Sequence, residues 1–248
     1  MTSSAPRIFV PFNNIKDDMA VIEGSDVNYL RNVMRLNIGD ELSVMDSKSK
    51  EYNAKIRKME GKKIVAELLA EKHPKSEPRM KVTIAQCIPK NPKMDLIIQK
   101  ATELGVLQMI PVKAERSFVK LTKEKEESRL NRWQRIAKEA AEQSGRLIIP
   151  FVQPIKDFKE LLMLRSDFDH CLMLWEMEKE RSIKKFLMEN KHVGNLMVVI
   201  GPEGGFSHQE VEMAKNAGFE TANIGSRIVR TETAAISVLS MIEYEFEL

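Results

Sequence analysis

The chain has 248 residues, 43% of them hydrophobic and 30% charged, with 39 basic against 36 acidic side chains and a net charge of +3. This composition excludes a disordered polyelectrolyte, a collagen-like chain and a low-complexity chain, and so small a surplus does not by itself announce a nucleic-acid binder. At about 150 residues per domain, the length allows one large domain or two modest ones.

Taken in order, residues 1–6 are small and uncharged with no apolar run behind them, so no secretory leader is expected. Residues 7–10, 20–22, 41–45, 52–56 and 63–69 read as short β segments, separated by turn signals at Gly24, 37–40 and Glu60–Gly61. Ser25 is expected to cap a helix over 26–34 that turns Leu30, Val33 and Met34 inward. The segment 73–78 holds two prolines and little to bury, so the boundary falls there, giving a β-rich domain over 1–73 and a second domain over 79–248.

Beyond that boundary strands and helices alternate. Strands are expected at 82–88, 108–112, 170–175, 196–200 and 220–224, and helices at 93–104, 125–144, 157–164, 181–189, 207–217 and 231–245. The alternation predicts an α/β domain with a largely parallel sheet, whose ligands sit at the carboxyl ends of the strands. The longest apolar runs, 196–200 and 161–164, fall far short of the roughly 20 residues that cross a bilayer.

Cys87 and Cys171 lie in apolar strands without metal-ligand spacing, which fits a reducing cytoplasm. The four histidines, His73, His170, His192 and His208, show no ligand spacing either, so no metal is expected. The sharpest local feature is 198–210, where a buried strand runs into a turn containing Gly201, Gly204 and Gly205 and then into a helix capped by Ser207 with Glu210 three residues on. It is neither a Walker A loop nor a dinucleotide fingerprint. A second loop, 223–231, again joins a strand to a helix, and two such loops late in one sheet point to one shared pocket.

The segments Ile200-Gly-Pro-Glu-Gly-Gly-Phe-Ser207 and Ile224-Gly-Ser-Arg-Ile-Val-Arg-Thr-Glu-Thr-Ala234 resemble the signature loops of the 16S rRNA uridine N3 methyltransferase family, a branch of the SPOUT class. Residues 93–105, 115–117 and 132–146 are similar to that family's remaining motifs in the same order, so the likeness covers nearly the whole chain. The resemblance implies a small PUA-like β-barrel domain followed by a SPOUT-type parallel sheet with a C-terminal trefoil knot. It also implies a cytoplasmic homodimer with S-adenosylmethionine bound in the knot and the 16S rRNA of the small ribosomal subunit as substrate.

On that resemblance the cofactor residues are Leu174, Trp175, Ile200, Gly201, Glu203, Gly204, Gly205, Ile224, Gly225, Ile228, Val229, Arg230 and Thr231. An apolar slot for adenine needs side chains such as Leu174, Ile224, Ile228 and Val229, and a carboxylate such as Glu203 favours a positive sulfonium. Arg230 is the candidate for stabilising charge on the uracil as N3 loses its proton. Glu232 and Glu142 are both candidates for the base, and the choice stays open. Gln143 and Arg146 match the family's substrate motif, and Arg116 or Arg146 is placed to reach a partner's cofactor.

RNA binding is expected from local basic surface. Between 48 and 63 lie Lys48, Lys50, Lys55, Arg57, Lys58, Lys62 and Lys63 against Glu51 and Glu60, a surplus of five. Arg31 and Arg35 match a family motif, and Arg7, Arg116 and Lys120 are weaker candidates. The rival readings are a methyltransferase of the same fold acting elsewhere on RNA, for example at a ribose 2′-oxygen, and a non-catalytic rRNA-binding assembly factor.

Overall fold

The computed structural model describes residues 5–73, 77–90, 92–117 and 122–246. Lys120 and part of the expected boundary segment, 74–76, lie outside them. The chain divides into two compact units, the first formed by residues up to Glu77 together with Ala141–Ile148, the second by Pro78–Ala140 and Ile149–Leu248. The short stretch 141–148 therefore belongs with the first unit, where sequence order alone had assigned it to the second domain.

In the first unit, β1 (Arg7–Val10), β2 (Ile15–Lys16), β3 (Met19–Glu23), β4 (Glu41–Asp46), β5 (Glu51–Glu60) and β6 (Lys63–Lys72) form one sheet in the order β1-β4-β5-β6-β3-β2. Only the β1–β4 pairing is parallel. Alternation along the strands turns Ile8, Val10, Ala20, Ile22, Ala54, Ile56, Ile64 and Ala66 into a single core. Register shifts between Asn53 and Ala54 and between Ile56 and Lys58 bend the long β5–β6 hairpin around it.

The expected helix over 26–34 is different in kind. It begins as α1 (Ser25–Asn28), with Gly24 and not Ser25 at the cap, and continues as a π-helical turn over Tyr29–Val33. The wider turn, closed by the Met34 amide donating to the Tyr29 carbonyl, keeps Leu30 buried but swings Val33 out to 63% exposure.

The second unit holds β7 (Lys81–Cys87), α2 (Lys93–Glu103), β8 (Gln108–Lys113), α3 (Lys123–Ser144, whose last turn falls in the first unit), β9 (Phe151–Val152), β10 (Lys156–Asp157), α4 (Phe158–Leu162), β11 (His170–Leu174), α5 (Ile183–Glu189), β12 (Asn195–Ile200), α6 (His208–Asn216), β13 (Glu220–Ala222) and α7 (Thr231–Phe246). Every strand pairing is parallel, in the order β10-β8-β7-β12-β11-β13, with β9 also on β8. The two-residue strands β2, β9 and β10 escaped the sequence reading because so short a segment shows no period.

Both faces of this sheet are covered, which is why Leu196 to Ile200 reads as an unbroken apolar run. Val82, Ile84, Val198 and Ile200 pack on one side with Ile97 and Ile98 of α2, Trp133 and Ala137 of α3, Phe186 of α5 and Val238 of α7. Ala85, Cys87, Met197 and Val199 pack on the other with Phe158 and Leu161 of α4 and Val211 and Ala214 of α6. No described helix is long and apolar enough to cross a membrane.

Candidate active site at three strand ends

Strands β11, β12 and β13 are parallel neighbours or share one, so their carboxyl ends emerge along one edge. The loops that follow enclose a cleft of about 480 Å³, lined by Leu174 to Glu176, Ile200 to Phe206, Asn223 to Thr231 and Ala234. All thirteen residues expected to hold the cofactor lie in its wall.

The turn after β12 is shaped by what it must avoid. A Cβ on Gly201 would stand 3.1 Å from the buried Phe206 ring, and one on Gly205, whose φ is +66°, would stand 2.6 Å from the Glu176 carboxylate. Ser207 and Glu210 form the expected reciprocal cap on α6, and Glu210 also accepts from the Glu115 amide at 2.8 Å. Arg116 donates to the Gly204 carbonyl at 3.0 Å within the same chain. That hydrogen bond braces this chain's own loop, and the side chain is otherwise exposed.

The second loop is clasped from both sides. Asn223 donates its side-chain amide to the Glu178 carbonyl and its backbone amide to the Arg181 carbonyl, and its own carbonyl accepts from the Ile183 amide. The buried Thr231 hydroxyl receives a hydrogen bond from the Gln86 amide at 2.9 Å and donates to the Gly201 carbonyl at 2.7 Å. Between these anchors Arg227 and Arg230 are exposed, and neither side chain has a hydrogen bond or ion pair among the described residues. Ile228 is 86% exposed, so it forms rim where a buried adenine slot was expected of it.

Polar atoms in the wall differ in how they are satisfied. The indole Nε1 of Trp175 is buried without an acceptor, and Glu176 has no hydrogen bond or ion pair among the described residues. Glu203, by contrast, is engaged: its carboxylate accepts from the Lys90 amide at 3.2 Å and pairs with Lys93 Nζ at 3.1 Å. Burial would raise this carboxyl, but its own backbone amide, Lys93 and the Lys90 amide together hold it below its ordinary value. The sulfonium role expected of Glu203 is weakened by this, since Lys93 already answers its charge.

Neither base candidate lines the cleft. Glu232 pairs with Lys93 at 3.3 Å, and Glu142 accepts from the Phe9 amide at 3.1 Å within the first unit. Gln143 is exposed in that unit. Arg146, expected at the substrate, is only 4% exposed and paired with Glu77 at 2.6 Å, so it holds the first unit together instead. The ion pairs of Lys93 were missed because nothing local in sequence ties it to Glu203 or Glu232.

The basic hairpin of the first unit is less basic than its sequence. Lys50 pairs with Glu71, Arg57 with Glu67, Lys58 with Glu60 and Lys63 with Glu23, while the acids counted against them include Glu51, which is buried against Arg7 and Lys72. Lys48 lies over the Phe12 ring at 3.4 Å. Arg7 also donates to the Gly145 carbonyl and is 22% exposed, and Arg31 donates to the Gly61 carbonyl. Lys55, Lys62 and Arg35 have no such partner among the described residues. Both cysteines are buried, which pushes the Cys171 thiol up to about 12, and no group of three or more potential metal ligands occurs among the described residues.

Comparison with known proteins agrees with this architecture. Residues 75–243 match the family model of an RNA methyltransferase domain, and 22–69 that of an RNA methyltransferase PUA domain. The ribosomal RNA small subunit methyltransferase E of Bacillus subtilis is 38% identical over 231 residues, covering 92% of this chain and 90% of its own. The crystal structure of the enzyme of that name from Neisseria gonorrhoeae, bound to S-adenosylmethionine, is 30% identical with a TM-score of 0.84 and 97% coverage of both chains. A Legionella pneumophila protein solved with the same cofactor bound is 28% identical with a TM-score of 0.88, again over 97% of both chains. The chain belongs to the ribosomal RNA small subunit methyltransferase E family.

Proposed function

We propose that this protein transfers the methyl group of S-adenosylmethionine to N3 of a uridine in the 16S rRNA of the small ribosomal subunit, acting as a cytoplasmic homodimer. The observation that carries the reading is the single cleft shared by the ends of β11, β12 and β13. Its walls suit the cofactor. Leu174, Ile200, Ile224 and Val229 provide apolar surface, and beyond its chain neighbours no atom lies within 4 Å of where a Gly225 Cβ would stand.

When bound, the cofactor supplies an electrophilic methyl carbon on a positive sulfonium. Glu176 is the cleft carboxylate left unpaired to favour that charge, with Glu203 kept on Lys93. Loss of the N3 proton to water in the cleft leaves negative charge spread over N3 and the two uracil carbonyls, and Arg230, whose guanidinium at the start of α7 has no partner among the described residues, donates to one of them. Arg227 sits three residues before it on the same wall and is available for a flanking phosphate. Positioning of the base against the methyl carbon then sets the rate.

A trefoil knot is supported by the path of the last segment. After β13 the chain returns to the middle of the sheet, where Thr231 is hydrogen-bonded to Gln86 on β7 and to Gly201 beyond β12. The dimer is supported by exposed apolar side chains on and before α7, Ile228, Met241 and Tyr244, which a second copy would cover.

Mass spectrometry of nucleosides from the 16S rRNA of cells lacking this protein tests the assignment. One 3-methyluridine should disappear and return with the wild-type chain. Retention of 3-methyluridine with loss of a ribose-methylated nucleoside would instead favour the 2′-oxygen as target.

A further inference from the structure

Lys93 opens α2, yet its amine lies 3.1 Å from Glu203 and 3.3 Å from Glu232. The first carboxylate belongs to the turn after β12, the second to the first turn of α7, two residues beyond Arg230. One cation thus meets both segments that wall the cleft. We infer that Lys93 is a positioning residue that couples the two loops, setting the width of the cofactor cleft and the placement of Arg230 over it; this inference rests on the cofactor reading above.

Three observations carry it. The three side chains are 28%, 24% and 14% exposed, partly withdrawn from water, so the ion pairs are screened less than surface pairs are. The Lys90 amide reinforces the grip on Glu203 from the segment just before the helix. Glu203 and Glu232 each approach the same nitrogen, so without that cation two carboxylates would confront each other across the junction of the loops. The hydrogen bond from Thr231 to Gly201 joins the same two segments, one residue from Glu232 and two from Glu203, so separating the carboxylates pulls directly on the cleft wall.

The test is charge arithmetic on the intact protein, read by calorimetric titration with S-adenosylmethionine. Lys93→Met should raise the Kd about tenfold, and Lys93→Arg should stay near wild type. Adding Glu232→Gln to Lys93→Met should recover part of the loss, because one of the two opposed charges is gone. A role confined to packing predicts no such recovery. Hydrogen exchange without cofactor supplies the second reading: Lys93→Met should speed exchange across both 200–205 and 224–231.

Cofactor affinity unchanged in Lys93→Met, or a loss that Glu232→Gln leaves untouched, would overturn the inference. So would exchange that is unaltered in either loop. Failure of the wild-type protein to bind S-adenosylmethionine would count against the cofactor reading, while the exchange comparison would still decide whether Lys93 couples the loops.

Discussion

The two units treat positive charge in opposite ways. On the β5–β6 hairpin, Lys50, Arg57, Lys58 and Lys63 are met by Glu71, Glu67, Glu60 and Glu23, three of which come from outside the basic stretch or from the neighbouring strand. On the loop before α7, Arg227 and Arg230 stand exposed beside a cleft with no carboxylate partner among the described residues. The stretch 48–63 leaves the side chains of three of its seven basic residues, Lys48, Lys55 and Lys62, without a carboxylate partner among the described residues, whereas the loop leaves both of its arginines so. A charge count along the sequence overstates the hairpin, because antiparallel pairing brings acids across from strands that the count does not include.

The largest effect should come from a cation that is committed and buried. Arg146→Met leaves the Glu77 carboxylate without its cation, held only by the Leu147 and Ile148 amides, and should lower stability by about 3 kcal/mol, read as a fall in denaturant midpoint. The affinity for S-adenosylmethionine should not change. An uncommitted cation should behave the other way: Arg230→Ala should reduce methyl transfer about a hundredfold with an unaltered melting temperature. A melting temperature that falls with activity would mean that Arg230 belongs to the committed class.

Smaller effects sharpen the contrast. Gly205→Ala places a side chain at a positive φ and against Glu176, and calorimetry should show the cofactor Kd raised about tenfold. Reversing Lys55, Arg57 and Lys58 together should weaken rRNA binding and flatten its salt dependence while leaving the cofactor Kd alone. Most of that effect should trace to Lys55. Lys55→Ala alone should reduce the salt slope by about 1, and Arg57→Ala, which removes a cation already paired with Glu67, by less.

What could be read in advance follows the same division between local and distant. The turn after β12 was legible because its signals are consecutive: a buried run, three glycines, and a Ser207–Glu210 cap whose geometry depends only on neighbours. The parallel sheet was legible because strands and helices alternate along the chain, as the crossovers of a parallel sheet require. The π-helical turn that exposes Val33 left no mark on a pattern that assumes regular winding. Lys93 bridging Glu203 and Glu232 required knowing that α2, the glycine turn and α7 converge, which no spacing states. Arg146 was recognisable by motif, but its burial against Glu77 depends on a chain segment far upstream.

The account rests on the strand-end cleft holding the methyl donor, and a crystal structure of the protein grown with saturating S-adenosylmethionine tests this most directly. The account predicts density for the whole cofactor between 200–205 and 224–231, with its methionine end near Glu176. Electron density for the cofactor elsewhere, or a cleft that stays empty at saturation, would contradict it.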